Sequence, residues 1–232
     1  MNNVKTILLF CLTFLLSNFL TAQKINQFDQ NNKRTGVWKK YYSNKTIRYE
    51  GEFKNGKEIG VFKFYRKSYP SFPSIIKSYS TKNDSVKVEF YSKKGKIETT
   101  GFFINKERVG AWKYYFDDGK IMSEEFYNKG KLEGKLVNYY PNEKPTEITF
   151  YKNGLKHGLS KKYSSDGVLL EEINYKLGKA NGLAKYFELN GNLKEKGLYQ
   201  NGKRVGKWEY FLDGEVTNDE ELKKKKGYKK SK

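Results

Sequence analysis

The chain has 232 residues, with 46 Lys and Arg against 26 Asp and Glu, a formal net charge of +20, and 16% aromatic residues. A single cysteine, Cys11, and a single histidine, His157, exclude a disulfide framework within the chain and a Cys/His zinc site. The cationic excess favours anionic partners.

Residues 1–22 carry the pattern of a secretory signal peptide: Lys5 supplies the positive start, Ile7 to Leu16 an apolar core, and Leu20-Thr21-Ala22 a small-residue exit before Gln23. Ser17 and Asn18 stop the apolar run short of the ~20 residues a spanning helix needs, and no second apolar span follows. Cleavage after Ala22 exports the mature chain, removes Cys11, and takes the charge from +20 to +19 through loss of Lys5. Residues 23–30 are read as a short linker.

From 31 to 216 the chain repeats itself. Gly36, Gly60, Gly110, Gly134, Gly158, Gly182 and Gly206 recur every 24 residues, except for one gap of 50 between Gly60 and Gly110. A degraded copy near 86–109 fills that gap, with Val86 in place of the glycine, which gives eight copies. A fixed period of this length marks an array in which each unit buries its face against its neighbours. The segment Tyr49-Glu50-Gly51-Glu52-Phe53-Lys54-Asn55-Gly56-Lys57 resembles the core of the MORN repeat. Gly110-Ala111-Trp112-Lys113-Tyr114-Tyr115, with its longer period, resembles the bacterial MORN-variant repeats of the YwqK family. The resemblance implies an all-β array of hairpins. Members of that family are often described as antitoxins, and MORN modules have been linked to membranes; it implies no catalytic residues.

Within each copy the turns define the strands. Asn55-Gly56, Asn153-Gly154 and Asn201-Gly202 suit two-residue type I′ turns at one end, and Lys94-Gly95, Asp118-Gly119, Asp166-Gly167, Asn190-Gly191 and Asp213-Gly214 close the other. Two turns per period leave two strands of about six residues. The fold predicted is an elongated antiparallel β-meander, and sixteen strands about 4.8 Å apart would reach ~75 Å.

The fifth residue after each glycine is aromatic in every copy: Tyr41, Tyr65, Tyr91, Tyr115, Tyr139, Tyr163, Phe187 and Phe211. The seventeenth gives Phe53, Phe103, Tyr127, Tyr151, Tyr175 and Tyr199, with Tyr79 joining if the second copy holds two extra residues; the eleventh is aliphatic except at Pro145. All three rows are assigned to one stacked face. The repeat glycines are explained by a backbone conformation or a close strand approach that a Cβ would obstruct. Residues 66–73, with Tyr69-Pro70 and Phe72-Pro73, are expected to bulge out as a longer loop. Residues 217–232, with seven lysines and few apolar side chains, are read as a Lys-rich disordered tail that could guard one edge of the sheet.

The third position gives Lys39, Lys63, Lys113, Lys161 and Lys185, a candidate binding row on the same side as the fifth-position aromatics. Either these stems pass the rings to reach water, or that side is the exposed one. Glu147, Glu171 and Glu195 recur at one position and are assigned as an acidic row facing lysines such as Lys113, Lys161 and Lys185. His157 stands at a freely varying turn position, a poor place for a base. Glu124-Glu125 and Glu171-Glu172, adjacent on strands, point to opposite faces and cannot act as a carboxylate pair. No metal or cofactor motif accompanies them. Lysines interleaved with aromatics also describe single-strand nucleic-acid binders, but these aromatics recur with the fold, and export separates the chain from that partner. The function expected is a non-enzymatic exported scaffold that presents a basic, aromatic-rich β surface to a protein or an anionic envelope partner. The alternatives are an antitoxin or immunity-like protein and an accessory component of an envelope enzyme.

Overall fold

The computed structural model describes residues 24–217. The signal-peptide and Lys-rich-tail readings fall on 1–23 and 218–232 and lie outside the described residues. The described chain is all β: nineteen antiparallel strands in one open sheet, joined as hairpins in chain order. The sixteen expected strands are present. The count rises because Gln27–Phe28 pairs with Thr35 and Arg34, so the linker contributes a short first strand, and because Lys131–Leu132 and Leu155–Lys156 are split by one residue from Gly134–Tyr139 and Gly158–Tyr163.

The two edges of the ribbon use different turns. At the Asn-Gly edge both turn residues have φ > 0, as at Asn55 (52°) and Gly56 (80°), the type I′ geometry whose twist matches that of the strands. The turn amide then hydrogen-bonds to the preceding copy: Gly56 N donates to Arg34 O at 2.9 Å, and Gly130, Gly154, Gly178 and Gly202 do the same to their own neighbours. At the other edge a four-residue turn closes by bonds such as Gly119 N to Phe116 O, 2.9 Å, and there Lys120 Nζ and Lys144 Nζ reach carbonyls of the next copy.

The repeat glycine marks a bulge. Gly60 has φ +64° and no atom within 4 Å of a built Cβ, so its backbone conformation, not crowding, selects glycine. The strand register shifts opposite it, between Glu50 and Glu52. Where Val86 replaces glycine the ladder from Tyr79↔Val86 to Ile75↔Phe90 runs without a shift. A second bulge pairs Tyr41 with Ile47 but Lys40 with Tyr49.

These bulges correct the assignment of one stacked face. The fifth and eleventh positions do pair, but the seventeenth lies on the opposite face, because the bulge between them changes the parity that strand alternation alone would give. Most of the deepest side chains sit two residues after the glycine or its Val86 replacement: Phe62, Val88, Trp112 and Ala184 have at most 1% of their surface exposed, as does Thr149 on the facing strand, and Leu136, Ser160 and Trp208 are also buried. Phe62 and Trp112 each lie between the seventeenth-position rings of two copies, Trp112 between Phe103 (5.1 Å) and Tyr127 (6.2 Å), both edge-on, while Trp208 packs on Tyr199 (5.3 Å) and Tyr186 (6.3 Å).

Beneath these rings volume is matched across strands. A Cβ on Gly51, Gly101 or Gly197 would stand 2.2–2.4 Å from the ring of Phe62, Trp112 or Trp208. Where the ring is absent a side chain fills the space: Ile173 faces Ala184, and Thr149 hydrogen-bonds Ser160 at 2.7 Å. Arg34, Arg108 and Arg204 cover Trp38, Trp112 and Trp208, at 5.0, 4.3 and 3.8 Å from the ring centres. A single-layered sheet thus has one packed face.

Residues 66–73 do not leave the sheet as a loop. Lys57–Arg66 and Tyr69–Tyr79 form a longer hairpin turned at Lys67-Ser68, with register shifts at Phe64/Tyr65 and Tyr65/Arg66 that absorb the two extra residues. Pairing to the next strand, Val86–Tyr91, begins only at Ile75, so Pro70 and Pro73 lie on a free strand edge that asks no amide of them.

Candidate binding face

The opposite, open face carries the third, fifth and fourteenth positions. All five lysines of the predicted row lie here, and each is ion-paired across strands: Lys39 and Lys63 with Glu50 (3.3 and 3.8 Å), Lys113 with Glu124 (3.1 Å), Lys161 and Lys185 with Glu172 (3.2 and 3.5 Å). The row is therefore the cationic half of a ladder. Its acids are Glu50, Glu124 and Glu172, which corrects the assignment of Glu147, Glu171 and Glu195 to these lysines. Those three pair with Lys156, Lys162 and Arg204 (2.9 Å each), on the side of the packed rings.

The fifth-position aromatics stand beside the ladder and are half-buried, apart from Tyr41, which is exposed. Tyr65 donates to Glu50 at 3.0 Å and Tyr139 to Glu124 at 2.9 Å. Burial, then the hydrogen bond and charge of the glutamate, pushes both phenols up to about 12. For Glu124, burial would lift the carboxyl, but the hydrogen bonds from Lys113 and Tyr139 outweigh it and hold it below the usual range. Of the two explanations for lysines beside aromatics, the structure supports the exposed side.

Toward the Asn-Gly edge the same face carries a row that the sequence reading missed. Phe102, Phe126 and Phe150 occupy the sixteenth position of three successive copies and are 39%, 49% and 42% exposed. Alternation in Ile97–Ile104, Ile121–Asn128 and Pro145–Lys152 places them on the ladder's face. Asn174 interrupts the row in the next copy, and beyond it Leu198 and its cross-strand partner Leu183 are exposed aliphatics. Exposed Lys135 is the cross-strand partner of Phe150, exposed Lys152 follows two residues along its strand, and exposed Lys131 stands nearby at the Gly154 turn. Next to the projecting hairpin, Phe72 covers Gly95 and Lys93 Nζ sits 4.7 Å from the centre of the Tyr69 ring.

His157 follows the short strand Leu155–Lys156; its amide donates to Phe150 O, and its Nδ1 has no hydrogen-bond partner among the described residues. Glu124 and Glu125 diverge as expected, toward Lys113 and toward the Tyr127 hydroxyl (2.7 Å). Among the described residues no group of three or more His, Cys, Asp or Glu is placed to hold a metal, and no helix is long and apolar enough to cross a membrane.

Residues 34–55, 108–129, 132–153, 156–177 and 180–201 each fit the family model of the MORN repeat variant. Five of the eight copies match this variant. The MORN-variant matches skip 56–107, the stretch that holds the longer hairpin and the copy without its glycine. No curated protein matches the chain. Among solved structures it is similar to the TarM of S. aureus as a mutant in complex with Fondaparinux, alpha-GlcNAc-glycerol and UDP, at 14% identity and a TM-score of 0.29 over 41% of this chain and 19% of that one. A GtfA/B complex (8%, TM-score 0.28, 38% and 18%) and TarM itself (13%, 0.28, 41% and 19%) are similar to the same degree. The chain spans about a fifth of the length of those proteins, and the likeness carries no argument about fold or function.

Proposed function

We propose that the chain is a non-enzymatic, exported repeat scaffold whose open face binds a partner in the envelope or outside the cell. MORN-variant repeats suggest a repeat-based binding scaffold. The observation that carries the reading is the contrast between faces: rings are interlocked on one, while Phe102, Phe126 and Phe150 remain exposed beside lysines on the other. Contiguous exposed apolar surface rimmed by polar residues marks interaction sites on soluble proteins. Export rests on the amino-terminal pattern of Lys5, the Ile7 to Leu16 core and Ala22. No separate observation favours the antitoxin or the enzyme-accessory reading.

The test is retention from envelope fractions by the tagged full chain, compared with a Phe102→Thr/Phe126→Thr/Phe150→Thr variant, together with amino-terminal sequencing of the cellular form. A start near Gln23 and proteins retained by the native chain but lost by the variant are expected. Retention of Met1 in a cytosolic form, or the same proteins held by both chains, would contradict the proposal.

A further inference from the structure

The geometry points to an extended, polyproline-II-type segment as the occupant of the open face, with an apolar residue at every third position and acidic residues between. This deepens the scaffold reading and rests on it. Phe102, Phe126 and Phe150 are each two strands apart, so the row repeats at about 9.6 Å, twice the spacing of neighbouring strands. In a polyproline-II helix every third residue returns to the same edge after about 9.3 Å. Over the two intervals of the row the mismatch is ~0.6 Å, within the reach of side-chain adjustment.

Other occupants fit less well. An α-helix returns to one face after seven residues, about 10.5 Å, and drifts by ~20° each time, so it is ~1.8 Å out of step by the third ring. A second copy of this chain would match the spacing by construction, but it would bring a second excess of positive charge, +19 once Lys5 is removed from the +20 of the full chain, against Lys131, Lys135 and Lys152. An anionic bilayer would cover the whole face and take the ion pairs of Glu50, Glu124 and Glu172 with their lysines out of water, a desolvation cost that a narrow ligand avoids. An extended chain is narrow enough to follow the aromatic row without covering the glutamates. Its acidic residues then face the lysines around Phe150, and its preformed conformation lowers the entropy lost on docking.

The probes are a labelled peptide of five Leu-Pro-Glu units, a scramble of the same composition with irregular leucine spacing, an acidic helical peptide with leucine at every seventh position, and phosphatidylglycerol vesicles. Fluorescence anisotropy, or co-sedimentation for the vesicles, is measured with the full chain and with Phe126→Thr and Phe150→Thr. The Leu-Pro-Glu peptide is expected to bind at least ten-fold tighter than the scramble and the helix, and to lose at least ten-fold with either substitution. If either variant fails to fold, photo-leucine in the peptide provides the second measurement, with crosslinks expected on strands Ile97–Ile104, Ile121–Asn128 and Pro145–Lys152. Equal binding of the scramble, indifference to both substitutions, crosslinks elsewhere, or binding of the helix or vesicles alone would overturn the proposal. Retention from envelope fractions that still depends on the three phenylalanines would then leave the scaffold reading standing.

Discussion

At the residue scale this array separates two uses of glycine that look identical in the sequence. Gly60 needs a left-handed backbone and has space around it, whereas Gly101 is extended and lies under the Trp112 ring. Asparagine tolerates the first conformation but brings a Cβ to the second. Gly60→Asn is therefore expected to cost about 1 kcal/mol or less and Gly101→Asn ~3 kcal/mol or more, read from denaturant midpoints at equal slope. The tyrosines of the open face give a pH signature. Tyr65 and Tyr139 titrate at about 12 in the folded chain against the ordinary 10, so their contribution is complete below pH 10 and is lost as pH rises toward 12. Glu124 and Glu147 are shifted down, so theirs is present above the ordinary 4.5 and is lost on acidification. Stability curves from pH 9 to 12 should fall less steeply for Tyr65→Phe/Tyr139→Phe than for the native chain.

At the scale of the element, the hairpins show what sequence could and could not tell. Asn-Gly turns predict their own backbone, and the period of 24 placed nearly every strand. The bulges do not announce themselves, because Gly60 could satisfy either of two needs and only the pairing of Glu52 with Ile59 and Glu50 with Lys63 reveals the extra residues. Counting parity through them put Tyr139 and Tyr151 on one face. A further signal was available: Gly51, Gly101 and Gly197 each precede, by eleven residues, a ring at Phe62, Trp112 or Trp208. The same logic yields a stabilising change. Leu177 holds φ +51° in a type I′ turn where Asn55, Asn153 and Asn201 hold it elsewhere, and its side chain is 66% exposed. Leu177→Asn should raise stability by roughly 0.5–1 kcal/mol, visible as a higher denaturant midpoint.

Across the described residues each strand bonds only to the strands beside it in hairpin order, Lys131–Leu132 with Gly134–Tyr139 and Leu155–Lys156 with Gly158–Tyr163 each acting as one strand, so stability is a sum of local interfaces along an open ribbon. The predicted aromatic ladder and lysine row were legible as positions but not as roles, since ion pairs such as Lys113 with Glu124 depend on register. The central claim is that one face is packed and the other is available to a partner. In a Cys11→Ser background, where no other thiol remains, Val88→Cys and Phe126→Cys place one probe on each face. Val88 is 1% exposed and Phe126 49%. Thiol-labelling rates of the native protein compare them directly. Labelling of Cys at 126 near the rate of the unfolded chain, with Cys at 88 slower by orders of magnitude until global unfolding, is the result this account predicts; equal rates, or the reverse order, would contradict it.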